Sequence, residues 1–549
     1  MGASQAPRPE DIELLRQTMA AAETGDLERA ITLAEGALAS GVGHPLFFKL
    51  RSIRREQQGR LAEAIADLRT ALANAPDDFA ARNALGLHLA RAGRTREALA
   101  ELDRALELDP GFIHAQLNRA WTLENLGDLT AARRAYERAL EQEPGNTRAL
   151  AQLAWLAARR ADWPEARTRA EAALVIAPEP AARLALAMAD VRTGAPEAAE
   201  AGVRPLLDQP DLPPNERSTG SWLLGEALDA QDRPVEAMAA YGQANDAIRG
   251  FYGGPGAGGR ESALGFARRL GARFQGPAAP SWPKGPPATG ETGGEGAKGL
   301  VFLLGFPRSG TTLLGQVLAA HPDVVTLDER ESLAPAAGPY LDQPGGLARL
   351  EAADAAELQP FRRAYWADVR QAAGELEGRL LVDKLPMNTL ALPLIARLLP
   401  EARAVFMVRD PRDVVLSCFR QPFAPNRTNL ELLSLDSAAQ FYDAVMSLAV
   451  DLQPLIDLPM HRIRYEDLVE DFAGELERLW SFLGIDPKAS LEDFTASARA
   501  GEIATPSAVQ VARGLYGEGV GRWRRHAAAL VPVLPILQPW IDRFGYGEA

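Results

Sequence analysis

The sequence predicts two parts of different class: an all-α repeat solenoid in the first half, and an α/β domain with a mostly parallel sheet in the second. Three observations predict this. Pro76, Pro110, Pro144 and Pro178 recur at a single 34-residue period. Residues 249–298 are dominated by glycine and proline. From Leu300 onward, short apolar runs alternate with helix-like sequence, the pattern of strands joined by crossover helices.

Composition bounds the rest. The 549 residues suffice for three or four domain-sized units. Hydrophobic residues make up 47% and charged residues 24%, which excludes wholesale disorder. The longest apolar runs, around Leu300–Phe306 and Ala527–Leu537, fall well short of the roughly 20 residues of a membrane helix. No basic segment followed by an apolar stretch opens the chain, so no secretory signal is expected and the predicted location is cytoplasmic. Cys418 is the single cysteine, which excludes an intrachain disulfide, and the six histidines show no ligand spacing, so no metal is expected. A net charge of −14 argues against a nucleic-acid partner. An anion must therefore be held by local basic residues and backbone N–H groups.

The period runs in several registers at once. Ala30, Ala64, Ala98, Ala132 and Ala166 form one series, and Ala37, Ala71, Ala105, Ala139 and Ala173 form a second. Gly25, Gly59, Gly93 and Gly127 form a third. Glycine suits the turn between paired helices, where a positive φ is needed. Alanines seven apart share one helix face and let helices pack closely. Proline ends each unit. A 34-residue unit of this kind resembles the tetratricopeptide repeat (TPR). Five units are in register from about residue 11 to 178. The spacing then slips, with Gly194 and Ala198 early and Asp232–Ala237 marking a degenerate last unit, so the array is assigned to residues 11–248. The resemblance implies a concave groove for a peptide or protein. The bland alternative is an array that only braces the protein or joins copies of it, which leaves a homo-oligomer open.

Residues 249–298 are predicted to be a linker, in which Glu261–Phe274 has the spacing of one short helix. The second domain is assigned to residues 299–549. Strands are predicted at Leu300–Gly305, Leu380–Val382, Ala404–Val408 and Arg462–Tyr465, with a helix over Thr311–Ala320. Ligands of such sheets bind beyond the carboxyl ends of the strands.

Two motifs stand at those ends. After the first strand comes Gly305-Phe306-Pro307-Arg308-Ser309-Gly310-Thr311-Thr312, a P-loop-type frame in which N–H groups at a helix N-terminus cradle an oxyanion. The lysine of the ATPase version is absent, which disfavours a kinase or NTPase. After the third strand, Arg409 precedes a helix that carries Ser417 about two turns along. An arginine fork with a nearby hydroxyl suits a second phosphate. The bland alternative, an Arg409–Asp413 or Arg412–Asp410 surface ion pair, loses weight beside the first motif. Two anion sites on one sheet edge imply one ligand with phosphates at both ends.

The pairing PRSGTT…HPD…VRDPRDVVLS resembles the sulfotransferases that use 3′-phosphoadenosine-5′-phosphosulfate (PAPS), above all the tyrosylprotein group and bacterial TPR-linked members, over roughly residues 299–546. The resemblance implies that Arg308, Ser309, Gly310, Thr311 and Thr312 meet the 5′-phosphosulfate. Arg409 and Ser417 would meet the 3′-phosphate. It also implies Glu329 as general base, Lys384 as the lysine that steadies the transferred group, Tyr465 as a nucleotide contact, and Ser507 and Arg513 as further donor contacts. On the residues alone, Asp328 and Glu329 stand equal; the family alignment selects Glu329. His321 is the other conceivable base, though HisPro after a helix more often closes a turn. Lys384 could equally be a solvated lysine, and Tyr465 a core aromatic. The chain departs from the family at Gln421, where an arginine is expected; Arg420 is adjacent. The animal enzymes are also membrane-anchored and disulfide-bonded, features this sequence does not show.

The reading is a PAPS-dependent sulfotransferase acting on a protein or peptide, perhaps at tyrosine, that the repeats present. A carbohydrate, lipid or small-molecule acceptor is the alternative, with the repeats used for assembly. A scaffold with a dead catalytic domain is a further one, opposed by the presence of Arg308, Glu329, Lys384 and Arg409.

Overall fold

The structure is a computed structural model that describes residues 8–252, 261–275, 282–285, 298–376, 378–486 and 519–547. It divides into two compact units, Met1–Leu206 and Leu207–Ala549.

The first unit is a run of helix pairs. α1 (Pro9–Glu23) pairs with α2 (Leu27–Ala39), α3 (Pro45–Gln57) with α4 (Leu61–Asn74), and α5 (Phe79–Arg91) with α6 (Thr95–Leu108). α7 (Ile113–Leu126) pairs with α8 (Leu129–Gln142) and α9 (Thr147–Arg159) with α10 (Trp163–Ile176). α11 (Pro180–Arg192) and α12 (Pro196–Leu207) follow. The alanine registers explain themselves: Ala30, Ala64, Ala98, Ala132 and Ala166 are fully buried, and so are Ala37, Ala105, Ala139 and Ala173. The series Gly25, Gly59, Gly93 and Gly127 sits at φ between 72° and 88° in the turn within each pair. One period on, Ala161 takes the glycine place and is itself left-handed, at φ 60°. The position demands the conformation even where the residue resists it.

The second unit opens with a helical hairpin, α13 (Pro214–Ala230) and α14 (Pro234–Tyr252). α15 (Ala263–Gly271) follows, its N-terminus capped by Ser262, with Phe266, Ala267 and Leu270 buried. Part of the Gly/Pro-rich stretch is therefore packed: Trp282 is buried and its Nε1 donates to the Pro393 carbonyl at 3.0 Å.

Five parallel strands make the sheet: β1 (Gly299–Gly305), β2 (Val324–Asp328), β3 (Leu380–Lys384), β4 (Arg403–Val408) and β5 (Met460–Arg464), in the order β2-β3-β1-β4-β5. Alternate residues serve two cores. Phe302, Leu304, Leu381, Phe406 and Val408 face one side; Val301, Leu303, Val382, Val405 and Met407 face the other. Both faces are covered by helices, as a parallel sheet requires. β2, absent from the sequence reading, is an edge strand in which Val324 and Leu327 are buried and the other three residues are partly or fully exposed. The central β1 has β3 on one side and β4 on the other. The chain crosses from one flank to the other between β3 and β4, so the crevice opens at the carboxyl end of β1. Among the described residues no helix is long and apolar enough to cross a membrane.

Candidate active site

The loop after β1 is shaped by two close approaches. A Cβ at Gly305 would lie 2.6 Å from the Ser309 Oγ and 2.8 Å from the Met407 carbonyl oxygen. A Cβ at Gly310, φ 102°, would lie 2.5 Å from the Tyr465 ring. Gly310 is the N-cap of α16 (Thr311–Ala319) and provides no side chain to occupy its first-turn N–H groups. Thr311 and Thr312 begin that helix. Thr389, just past β3, pins the start of the loop: its Oγ1 accepts from the Gly305 N–H at 3.1 Å and is 2.9 Å from the Gly305 carbonyl.

Arg308 and Arg409 interlock the two motifs. Arg308 has φ 69°, a non-glycine outlier of the kind held in place at functional sites. Its Nε donates to the Ser417 Oγ at 3.0 Å. Arg409 follows β4; its Nη1 donates to the Arg308 carbonyl at 3.0 Å and its Nη2 to the Gly519 carbonyl. The Arg409 guanidinium also lies 4.8 Å from the centroid of Tyr465, which opens α23 (Tyr465–Glu470). Burial, and then the Arg409 charge, lower the Arg308 pKa. Burial likewise raises that of Tyr465. Two buried donors here, the Ser309 Oγ and the Arg409 Nε, have no hydrogen-bond partner among the described residues. Adjacent cations, one buried and one partly buried, beside unspent donors fit an anion.

The bland alternatives resolve differently. Arg412 and Asp410 do pair, but buried, with Nη2–Oδ2 at 2.7 Å. Asp413 accepts from the backbone N–H groups of Gly521 and Trp523, at 2.7 and 2.8 Å. Both lie at the start of α21 (Pro411–Phe419), which carries Ser417. Cys418 is buried, its thiol pushed up to about 12 by desolvation.

At the end of β3, Lys384 is buried and its Nζ contacts Asp328 and, at 2.9 Å, the Glu329 Oε1. Contact with the lysine does not separate the two acids; the backbone does. Glu329 is left-handed, φ 49°, with its N–H donating to the Lys384 carbonyl at 2.7 Å. Exposure does not separate the two either: the Glu329 side chain is 52% exposed and that of Asp328 59%. The next residues are fixed by Asp368 on α19 (Ala355–Ala373), which accepts from the Arg330 Nε at 2.6 Å and from the Ser332 Oγ at 2.8 Å. His321 closes a turn. Its Nδ1 accepts from the Asp323 N–H at 3.1 Å, which leaves Nε2 to donate to the Asp486 carbonyl at 2.7 Å. Both ring nitrogens are spent.

Arg420 points away from the anion site, to α13, where it donates to the Asp229 Oδ2 at 2.6 Å. It does not stand in for the arginine absent at Gln421. Ser507 and Arg513 lie outside the described residues.

Sequence reasoning missed Asp383, whose only signal was a carboxylate inside the apolar run LLVDK. Fully buried, it accepts from the Tyr365 hydroxyl at 3.0 Å, with the Asn388 Nδ2 at 3.4 Å. Burial raises its pKa to about 7, against the Tyr365 hydrogen bond that lowers it. The folded value lies above the unfolded one, so the folded state holds the extra proton. Its stabilising contribution is complete below pH 4 and fades as pH rises towards 7, by about 1.4 kcal/mol per pH unit as an upper bound. Asp383→Asn is therefore expected to flatten the fall in melting temperature between pH 5 and 8 and to exceed the wild type at pH 8. An unchanged slope in a thermal-melt series would show that Asp383 is ionised throughout.

Comparisons with known proteins agree on the two parts. Residues 301–489 match the sulfotransferase family, and residues 49–111 and 113–156 match tetratricopeptide repeats. An uncharacterized protein of Aquifex aeolicus is 27% identical over 260 residues, 45% of this chain and 33% of that protein. Nodulation protein NoeE of Sinorhizobium fredii is 31% identical over 214 residues, 34% of this chain and 50% of that protein. Protein-tyrosine sulfotransferase 1 of Danio rerio is 26% identical over 264 residues, 45% of this chain and 72% of that protein. The chain thus spans from a third to a half of the length of the first two relatives.

Proposed function

We propose that the second unit, which carries a sulfotransferase-family domain joined to tetratricopeptide repeats, moves the sulfuryl group of PAPS to an acceptor hydroxyl on a protein or peptide, with tyrosine the first candidate. The observation that supports this most is the Arg308–Arg409 pair: two adjacent cations, Arg409 buried and Arg308 partly buried, with Arg308 joined to Ser417 and, among the described residues, the Ser309 Oγ and Arg409 Nε unspent.

The donor supplies a sulfuryl group whose bridging S–O bond breaks as the acceptor oxygen forms its own. Ser309 and the α16 N-terminus hold the 5′ end, while Arg409 and Ser417 hold the 3′-phosphate. Tyr465 carries the Arg409 guanidinium on its face. Glu329 takes the acceptor proton, and Lys384 with Arg308 balances the charge left on the bridging oxygen. No step asks for a metal, since the transfer rests on positioning and charge.

The test is incubation of the full chain with radiolabelled PAPS and fractionated cell material. Label in protein, recovered as sulfotyrosine, is expected; label in carbohydrate, lipid or small phenols would move the acceptor class. Binding of ATP as tightly as 3′-phosphoadenosine 5′-phosphate would overturn the reading. If the repeats present the acceptor, removing residues 1–206 while keeping α13 and α14 should raise KM for the labelled protein by roughly tenfold, as expected for loss of a tethering site. KM for a small phenol should stay unchanged. A KM for the protein that truncation also leaves unchanged would leave the array no role in acceptor binding.

A further inference from the structure

Asp229, near the end of α13, gathers four basic side chains although it is buried itself. Its Oδ2 accepts from the Arg420 Nη2 at 2.6 Å and from the Arg522 Nη2 at 3.2 Å. Its Oδ1 lies 3.1 Å from the His526 Nε2, and its backbone carbonyl accepts from the Arg525 Nη2 at 2.8 Å. Burial opposes ionisation, yet His526, Arg420 and Arg522 outweigh it and hold the carboxyl well below the usual carboxylate range.

These partners belong to two elements that carry the anion site. Arg420 caps α21 one turn beyond Ser417. Arg522 and His526 bound a short turn, Arg522–His526, continuous with Gly519, the carbonyl of which accepts from Arg409. That turn is also tied to α21 through Asp413, which accepts from Gly521 and Trp523. α14 adds a second tie, the Asn245 Nδ2 donating to the Phe419 carbonyl at 2.9 Å. One carboxylate therefore stands between the helix that presents Ser417 and the turn that follows Gly519, whose carbonyl accepts from Arg409.

We propose that Asp229 is a positioning residue for the 3′-phosphate half of the donor site, fixing Ser417 through Arg420 and Arg409 through the Arg522–His526 turn. The proposal rests on the sulfotransferase reading above. It makes the α13–α14 hairpin, continuous in sequence with the repeats, a working part of the catalytic unit. Arg420 also pairs with Glu226 and Arg525 with Asp232, but neutralising Asp229 removes the one carboxylate that Arg420 and Arg522 share, and the turn then loses that tie to α21.

The experiment is calorimetric titration of the full chain with 3′-phosphoadenosine 5′-phosphate and, separately, adenosine 5′-monophosphate, which lacks the 3′ group. Asp229→Asn is expected to weaken the first on the order of tenfold, one buried charge-assisted contact's worth, and to leave the second unchanged. Asp229→Glu should recover part of the loss. Hydrogen exchange over Gly519–His526 should speed up in the Asn variant. Equal weakening of both nucleotides, or of neither, overturns the proposal, as does unchanged exchange. Should Asp229→Asn fail to fold, Arg522→Gln, whose side chain is 40% exposed, cuts the carboxylate's hydrogen bond to the turn from the other end. A smaller loss confined to the 3′-phosphorylated nucleotide supports the proposal, and no loss overturns it. If the wild type itself does not prefer that nucleotide, the functional reading fails first, a result visible before any variant is made.

Discussion

Glutamine at position 329 is expected to lower kcat by about 100- to 10,000-fold, the usual worth of a general base, while the affinity for 3′-phosphoadenosine 5′-phosphate stays within about twofold of wild type. The geometry makes this a clean substitution. Glu329 is half-exposed, and Lys384 keeps its contact with Asp328 when the other partner is neutralised. Glutamine preserves shape and the left-handed backbone constraint while removing the proton acceptor. Asp328→Asn is the control that the structure calls for, because both carboxylates touch the same lysine. A drop in single-turnover rate for Glu329→Gln with little change for Asp328→Asn assigns the base. The reverse pattern would pass the role to Asp328, and loss of donor binding in Glu329→Gln would make that residue structural.

How far the sequence could be read depended on the range of the forces concerned. The repeat was legible because each of its signals is local: a turn that needs positive φ, a helix face that needs a small side chain. Gly25 and Ala30 declare their roles without reference to anything distant, and the structure finds them in a left-handed turn and at full burial. The central strands were legible for a similar reason, since Val301–Leu304 and Ala404–Val408 are buried on both faces and so are continuously apolar. β2 was missed because an edge strand buries only part of each face and its sequence, VVTLD, does not stand out. The anion loop and Arg409 were legible as motifs, but their direct contact was not. That Arg308 would bond Ser417, 109 positions away, follows from the adjacency of β1 and β4, which no local pattern encodes. The same holds for the Tyr365–Asp383 bond and for Asp229 with the Arg522–His526 turn. Such pairs join residues whose only common property is charge or a hydroxyl, and hydrophobic periodicity carries no record of them.

Removal of the Arg409 guanidinium is the second large effect. Arg409→Ala is expected to weaken 3′-phosphoadenosine 5′-phosphate by roughly 2–5 kcal/mol, the range for truncating one partner of a buried, hydrogen-bonded charge pair. A ligand without the 3′-phosphate should lose little. The argument turns on where the cation sits. It is buried on the face of Tyr465, bonded to two carbonyl oxygens, with its Nε still unspent. Carbonyls satisfy hydrogen-bonding capacity but leave the net charge standing, and Arg308 nearby adds a second positive charge. A phosphate entering that field gains more than it would from a surface arginine in water. Lysine at 409 keeps the charge and loses the planar fork, so Arg409→Lys should fall between the alanine variant and the wild type. The fold should tolerate the change, because removing the buried member of two adjacent cations relieves their repulsion. Calorimetric titration with the paired nucleotides reads the difference directly. A loss shared equally by both ligands would mean that Arg409 acts by holding the Arg308 and Gly519 carbonyls in place, and that the phosphate is bound elsewhere.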